Sequence, residues 1–194
     1  MLLKQIRNIS FLLSLMGVLL YANKLSFDKT LSSQGISFHI ITTGEGSLRQ
    51  LSITPSGLEI DNTVIHQEID GVVTGVEVAD LNVDASPEIY IYTTSAGSGA
   101  YGNVIAYSAN HKKTLSIISF PELDVASKEA KGYMGHDSFG IVDNALVRHF
   151  PIYKKNDSNV KPTGGTRQLT YKLQMGEASW QLKLEKIFEL EKGL

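Results

Sequence analysis

The sequence predicts an all-β fold: an antiparallel β-sandwich or barrel-like single domain with one short helix. Two observations support this prediction. Short runs of β-branched, aromatic and aliphatic residues recur about every 8–12 residues, and clusters of Gly, Pro, Asn, Asp and Ser separate them. In addition, no repeat of about 20–50 residues is present, which argues against a solenoid or a propeller.

The predicted strands follow one another with short turns between them. ISFHIITT (36–43) and EIYIYTT (88–94) are dense in residues of high β propensity, and VVTGVEVAD (72–80) alternates valines on one face. Only ELDVASKEAKGY (122–133) predicts a helix, and a short one. The predicted strands are 36–43, 48–54, 72–80, 88–94, 103–108, 114–120, 139–143, 145–153, 167–175 and 179–190.

The predicted strand 88–94 has two apolar faces. Tyr90 and Tyr92 share one face, and Ile89 and Ile91 lie on the other, because side chains alternate along a strand. We expect one pair to face the core and the other to form a surface patch or part of a dimer contact.

The N-terminal segment differs from the rest of the chain. Lys4 and Arg7 begin it, the apolar run ISFLLSLMGVLL follows, and Ala22 comes shortly after that run. A basic start, an apolar run too short to span a bilayer and a small residue at its exit are typical of a cleaved signal peptide. We therefore expect residues 1–22 to be a signal peptide and residues 23–194 to form a single β domain. The alternative is an uncleaved membrane anchor.

Composition limits the compartment and the partners. The chain has no cysteine, so a secreted form would depend on its core and not on disulfides, which suits the periplasm. Without the leader, 16 basic and 20 acidic side chains remain, a net charge of −4. No polybasic or polyacidic tract indicates a nucleic-acid partner. After cleavage of the leader, nothing in the sequence predicts contact with a membrane.

The connection between the predicted strands 88–94 and 103–108 is longer than an ordinary hairpin needs. It covers residues 95–102, which we call the finger. Gly97, Gly99 and Gly102 permit backbone angles closed to other residues. The finger can therefore turn sharply and project from the sheet.

Two side chains in the finger carry hydroxyl groups suited to binding. Ser98 offers a small hydroxyl, and Tyr101 offers a rigid ring with a hydroxyl at its tip. Tyrosine is enriched at binding hot spots because it supplies a large contact area at low entropic cost. The alternative is a glycine-rich surface loop with Tyr101 folded back on the sheet.

The finger also carries a family resemblance. SGAY (98–101) resembles the Ser-Gly-x-Tyr loop motif of bacterial periplasmic lysozyme inhibitors. Its surroundings resemble one branch, the periplasmic inhibitors of invertebrate-type (i-type) lysozyme, over most of residues 72–184. Residues 23–70 are less distinctive. The stretches that carry the resemblance are 78–108, 131–142, 146–154 and 162–184.

The resemblance implies a function and a mechanism. It implies a periplasmic inhibitor of lysozyme, with the invertebrate type favoured over the chicken and goose types, that serves in evasion of host defence. Ser98 and Tyr101, supported by Gly97, Gly99 and Gly102, would enter the lysozyme cleft and hydrogen-bond to its catalytic carboxylates. The resemblance also implies a homodimer. Such an inhibitor needs no catalysis and no cofactor.

DLNVDASPE (80–88) resembles a calcium-binding loop. Its oxygen-bearing side chains stand at positions 1, 3, 5 and 9, as in EF-hand-like and integrin-type repeats. However, Ala85 replaces the usual glycine, and Tyr92 stands where a twelfth-position carboxylate would be. Because Asp and Asn also stabilise tight turns, we expect a structural turn and no metal, with calcium as the alternative. The candidate ligands are Asp80, Asn82, Asp84 and Glu88.

Nothing in the sequence predicts catalysis. His136, Asp137 and Ser138 are adjacent, but neighbours in sequence rarely form a triad, and no G-x-S-x-G pattern occurs. The histidines also lack a metal-binding spacing. Two alternatives to inhibition stay open: a calcium-stabilised β-sandwich adhesion or carbohydrate-binding module, and a glycan-processing enzyme whose carboxylates the fold brings together. The histidines are His39, His66, His111, His136 and His149.

Overall fold

The computed structural model describes residues 25–191, which form twelve β-strands and one short 3-10 helix. The predicted signal peptide, residues 1–22, lies outside the described residues. Among those described, no helix is both long and apolar enough to cross a membrane. The strands are β1 (Leu25–Ser33), β2 (Ile36–Thr43), β3 (Leu48–Ser56), β4 (Ile65–Asp70), β5 (Val72–Ala79), β6 (Glu88–Thr94), β7 (Gly102–Asn110), β8 (Thr114–Ile118), β9 (Ser138–Val142), β10 (Ala145–Pro151), β11 (Thr166–Met175) and β12 (Trp180–Leu190).

The strands form three open sheets, and in each sheet the neighbours in sequence pair antiparallel. The first sheet contains β1–β4, the middle sheet β5–β8 and the third sheet β9–β12. A parallel bridge between Ser119 and Gln181 joins the middle sheet to the third. The prediction of an all-β antiparallel sandwich is therefore confirmed. The described strands form three layers, and none of these sheets closes into a barrel.

The middle sheet is buried on both faces. Ile89 and Ile91 of β6 pack into a core shared with the first sheet, while Tyr90 and Tyr92 pack into a second core shared with the third sheet. All four side chains are at most 4% exposed. The expectation that one pair would lie on the surface is therefore wrong. A strand covered on both sides needs apolar residues on both faces, which accounts for the run EIYIY.

All ten predicted strands are present, with ends within two residues of the prediction. The two unpredicted strands, β1 and β4, are the edges of the first sheet. Of the residues of β1, only Phe27 and Leu31 pack against the core, and both only partly. Because an edge strand contributes few side chains to the core, its apolar period is weak in the sequence.

The predicted helix over 122–133 is wrong in extent. Only Lys128–Ala130 is helical, as a three-residue 3-10 turn. The buried Arg167 of β11 binds this turn, because its Nη1 donates to the carbonyl oxygens of Lys128, Glu129 and Lys131 at 3.3, 2.9 and 2.9 Å. The guanidinium thus holds the carbonyl oxygens at the end of the short turn, where helical partners are lacking for most of them.

Gly71 is the corner at which the chain passes from the first sheet to the middle sheet. It is the single residue between β4 and β5, and its φ is +98°. A Cβ atom there would lie 1.9 Å from the carbonyl oxygen of Thr94. Only glycine tolerates both this backbone angle and this close approach to β6.

We therefore expect Gly71→Ala to lower the free energy of unfolding by about 2–5 kcal/mol, from the strained φ and the overpacked corner together. Urea denaturation measures this loss. The matched control is Gly46→Ala, where φ is +81° but a Cβ would meet nothing within 4 Å. The control should lose only about 1–2 kcal/mol. Equal losses would contradict the role assigned to the corner.

Candidate functional site

The finger, residues 95–102, projects from the hairpin of β6 and β7 at one end of the middle sheet. The backbone of Ser95 donates to the Tyr101 carbonyl at 2.9 Å, and the Tyr101 N–H donates to Ser95 Oγ at 3.1 Å. This pair closes the base of the finger. At its tip, the Ala100 N–H donates to the Gly97 carbonyl at 3.3 Å, and both residues have positive φ. The finger is therefore a tight turn on a closed base.

A second segment, residues 132–137, packs against the finger and hydrogen-bonds to its backbone. We call this segment the brace. The His136 N–H lies 2.9 Å from the Gly99 carbonyl oxygen and 3.1 Å from that of Ala100. From another loop, Asn159 Nδ2 donates to the Ser98 carbonyl at 2.6 Å. Three successive carbonyls of the finger are thus bound by neighbouring loops, and these contacts fix its backbone.

The fit between brace and finger depends on glycine. Gly135 has a φ of +86°, and a Cβ there would lie 1.9 Å from the Gly99 carbonyl oxygen. A Cβ on Gly102 would lie 2.5 Å from the Cβ of Asp137. The backbones therefore approach more closely than any side chain would allow.

Asp137 connects the brace, the finger and β10. Its side chain is fully buried, and its Oδ1 accepts a hydrogen bond from Arg148 Nε at 2.7 Å. Its Oδ2 accepts from the Gly102 N–H and from the Tyr133 hydroxyl, both at 2.7 Å. Arg148 also donates to the Tyr133 hydroxyl at 2.8 Å. The carboxylate is thus satisfied by a cation, a backbone amide and a phenol, as a buried charge requires.

Aromatic contacts orient the Tyr101 side chain. Its ring packs edge-on against Tyr133, with ring centroids 5.7 Å apart. A Cβ on Gly99 would lie 2.4 Å from the Tyr101 ring, so the ring leans over Gly99. The alternative prediction, Tyr101 folded back on the sheet, does not describe this position, because Tyr101 is 52% exposed.

The two hydroxyls singled out in the sequence are available to a partner. Ser98 is exposed, and within residues 25–191 neither its hydroxyl nor that of Tyr101 makes a hydrogen bond. Grooves of about 350 and 380 Å³ flank Tyr101, one toward Ile69 of β4 and the other toward Phe120. The fold therefore presents a narrow ridge, with two free hydroxyls, between two depressions.

The loop 80–88 forms the turn that the sequence predicts, at the opposite end of β6. Asp80 Oδ1 accepts from the Asp84 N–H at 3.0 Å, and Asp84 Oδ1 accepts from the Ser86 N–H at 2.8 Å. Asn82 Oδ1 also accepts from the Asp84 N–H, at 3.2 Å. Burial, together with the charges of Asp80 and Asp84, raises the pKa of Glu88 to about 8.

The adjacent residues His136, Asp137 and Ser138 do not form a catalytic arrangement. The Asp137 carboxylate accepts hydrogen bonds from Arg148, Tyr133 and the finger. His136 Nε2 lies 3.2 Å from Asn159 Oδ1. What the sequence reasoning missed is the brace itself. Its signal is the pair of glycines and the aspartate in GYMGHD, but the partner residues come from three distant loops and strands.

Comparison with known proteins bears on this site. The family model described as periplasmic lysozyme inhibitor of I-type lysozyme matches residues 59–131. The resemblance inferred from the sequence is thereby confirmed over this range, which contains the whole finger but not the brace. No curated protein and no solved structure matches the chain.

Loss of the Asp137 carboxylate should destabilise the protein strongly. Asp137→Ala leaves the Arg148 guanidinium, whose side chain is 4% exposed, buried without its anion. We expect a loss of about 3–5 kcal/mol in the free energy of unfolding, measured by urea denaturation. Asp124→Ala is the control, because Asp124 is exposed and its side chain accepts only from the Ala126 N–H. Similar losses in the two variants would contradict the central role of Asp137.

Proposed function

We propose that this protein inhibits a lysozyme of the invertebrate type by inserting the finger into the active-site cleft of the enzyme. Ser98 and Tyr101 then donate hydrogen bonds from their hydroxyls to the catalytic carboxylates. Gly97, Gly99 and Gly102 give the finger its shape. The observation that carries the proposal is the exposed pair of unpartnered hydroxyls on a braced finger, inside the segment that the inhibitor family model matches.

The chemistry of the target suits these two donors. Lysozymes cleave glycan chains with a pair of acidic side chains in a cleft. A hydrogen bond to an ionised carboxylate is stronger than one between neutral groups. Because the finger contains no glycosidic bond, the enzyme cannot cleave it. The finger then excludes the glycan substrate for as long as it stays bound.

The brace favours tight binding because it reduces the entropic cost of association. A loop that becomes ordered only on binding loses part of its interaction energy to that ordering. Here the backbone carbonyls of Ser98, Gly99 and Ala100 are already bound by His136 and Asn159. The finger therefore meets its target in a fixed shape, and the energy of the hydroxyl contacts goes into affinity.

The rest of the proposal follows from the same family likeness. The matching family is described as periplasmic, so we propose a periplasmic location, reached through the signal peptide, and a role in evading host defence. We propose no catalytic activity and no nucleic-acid or membrane partner for the mature chain. A homodimer is part of the proposal as well, and light scattering on the purified protein tests it.

Two competing functions predict different results. A carbohydrate-binding or adhesion module would bind glycan in the absence of lysozyme, whereas the proposed inhibitor would not. A glycan-processing enzyme would release fragments from peptidoglycan on its own. Inhibition of an invertebrate-type lysozyme, without turnover or retention of glycan, would distinguish the proposal from both. Parallel assays with chicken-type and goose-type enzymes would define the target.

Removal of either finger hydroxyl should weaken inhibition. We expect Ser98→Ala and Tyr101→Phe each to raise the inhibition constant about tenfold or more, because each deletes a hydrogen bond to a charged group. The assay is lysis of peptidoglycan by invertebrate-type lysozyme with increasing inhibitor. Ser47→Ala, an exposed serine in the turn between β2 and β3, should have no effect. Full inhibition by the double variant would show that the finger does not bind the enzyme.

A substitution outside the finger should also weaken inhibition, by displacing it. Gly135→Ala places a Cβ against the Gly99 carbonyl, whereas Gly35→Ala, at the same φ of +86°, meets nothing within 4 Å. Both variants bear the backbone strain of alanine at positive φ, about 1–2 kcal/mol. Only Gly135→Ala should raise the inhibition constant. An equal effect of both, or of neither, would exclude the brace from inhibition.

A further inference from the structure

Glu88 is a buried carboxylate with an unsatisfied oxygen. It is the first residue of β6, and it is 0% exposed. Its Oε2 accepts from the Leu81 N–H at 2.8 Å, but within residues 25–191 its Oε1 is buried without a hydrogen-bond partner, and so is the hydroxyl of the neighbouring Tyr90. Native proteins rarely leave such an atom unpaired, because a buried polar atom without a hydrogen bond costs free energy.

Two further carboxylates approach Glu88. Asp80 and Asp84 each place a carboxylate oxygen so that, with one from Glu88, all three lie within 4.8 Å of one another. No ion pair of the described chain includes any of the three. Three carboxylates this close repel one another, and the burial of Glu88 weakens screening by water. A cation among them would remove the repulsion and give the buried Glu88 carboxylate a partner of opposite charge.

The loop already holds its acidic side chains in place. The backbone amides of Asp84 and Ala85 donate to Asp80 at 3.0 and 2.9 Å, and Gln34 Nε2 donates to Asp80 Oδ2 at 2.9 Å. Val83 and Ala85 adopt positive φ angles of +59° and +62°. These contacts make a firm turn, yet none of them satisfies Glu88. The turn alone therefore does not account for the buried carboxylate.

We propose that Asp80, Asp84 and Glu88 bind one calcium ion, with Asn82 as a further oxygen ligand. This proposal replaces the expectation from the sequence that the loop is a turn without metal. Calcium fits because it takes oxygen ligands in an adaptable geometry, whereas magnesium demands a near-ideal octahedron and zinc prefers nitrogen and sulfur. The ion would tie the loop after β5 to the first residue of β6.

Calcium at this position would stabilise the middle sheet at the end away from the finger. β6 runs from Glu88 to Thr94, so the loop and the finger are separated by the length of the strand. Extracellular calcium modules have dissociation constants of about 10⁻⁴–10⁻³ M. We expect an affinity in this range, because the firm turn is open to solvent at Val83, which is 72% exposed.

Thermal unfolding of the purified protein, first in EGTA and then with CaCl2, tests the proposal. Calcium at about a hundredfold above its dissociation constant should raise the Tm by about 5 °C or more. MgCl2 at the same concentration should raise it much less. In Glu88→Gln and Asp84→Asn the calcium shift should disappear. The control Glu68→Gln, at an exposed glutamate of β4, should keep it. An unchanged Tm of the native protein in CaCl2 would overturn the proposal.

A second measurement uses the native protein alone, so it stands if a variant fails to fold. Tb³⁺ binds at calcium sites and luminesces when a nearby tyrosine is excited, and Tyr90 is on the same strand face as Glu88. We expect tyrosine-sensitised luminescence that CaCl2 removes by competition. Absence of this luminescence, or its persistence in excess CaCl2, would contradict a calcium site. Neither experiment contains lysozyme, so failure of the proposed inhibition would not affect the result.

Discussion

The buried ion pair between Asp137 and Arg148 is the interaction on which the finger and the loops around it depend. One carboxylate accepts hydrogen bonds from β10, from the brace and from the first residue of β7. Arg148 also lies against the rings of Tyr133, Phe139 and Phe150, with its guanidinium carbon 5.1–5.7 Å from their centroids. The pair therefore fixes the loops that surround the finger to the third sheet. Its geometry satisfies the desolvated charges, which is the condition for a buried pair to persist.

The middle sheet sets the second constraint. Because it is covered on both faces, β6 cannot shift its register without moving a tyrosine out of one core and an isoleucine out of the other. The finger at its C-terminal end and the acidic loop at its N-terminal end are held by the same rigid strand. Loops positioned by a rigid scaffold are a common place for binding function, and this strand supplies that scaffold twice.

Much of the fold could be predicted from local pattern. In β2 and β11, buried and more exposed residues alternate, and in β6 nearly all residues are buried. Either pattern predicts a strand from the local sequence alone. The edges β1 and β4 could not be predicted so readily, since they contribute little to the core. The helix predicted over 122–133 is reduced to one turn, and the carbonyl oxygens of that turn bind a distant arginine, Arg167, which local pattern could not reveal.

In the candidate site, too, some features could be predicted from the local sequence and others depend on tertiary contacts. The finger was visible in the sequence because its glycines, serine and tyrosine are adjacent. The brace was not, because Asp137 becomes important only when Arg148 and Gly102 approach it, and the sequence gives no distance between them. Glu88 is an intermediate case. Its spacing from Asp80 and Asp84 marked it as a possible ligand, but its complete burial became visible only when the strand was found to be covered on both faces.

The atoms that hold the finger in place differ from the hydroxyls that we propose to bind lysozyme. Its position is fixed through backbone carbonyls and the amide of Gly102, while the hydroxyls of Ser98 and Tyr101 take no part in holding it. Removal of either hydroxyl alone should therefore leave the backbone of the finger in place, whereas loss of the Tyr101 ring would also remove its contact with Tyr133. Conversely, the glycines and Asp137 cannot change without displacing the backbone. If the finger binds lysozyme as proposed, its affinity can therefore change through these hydroxyls while the fold keeps its shape.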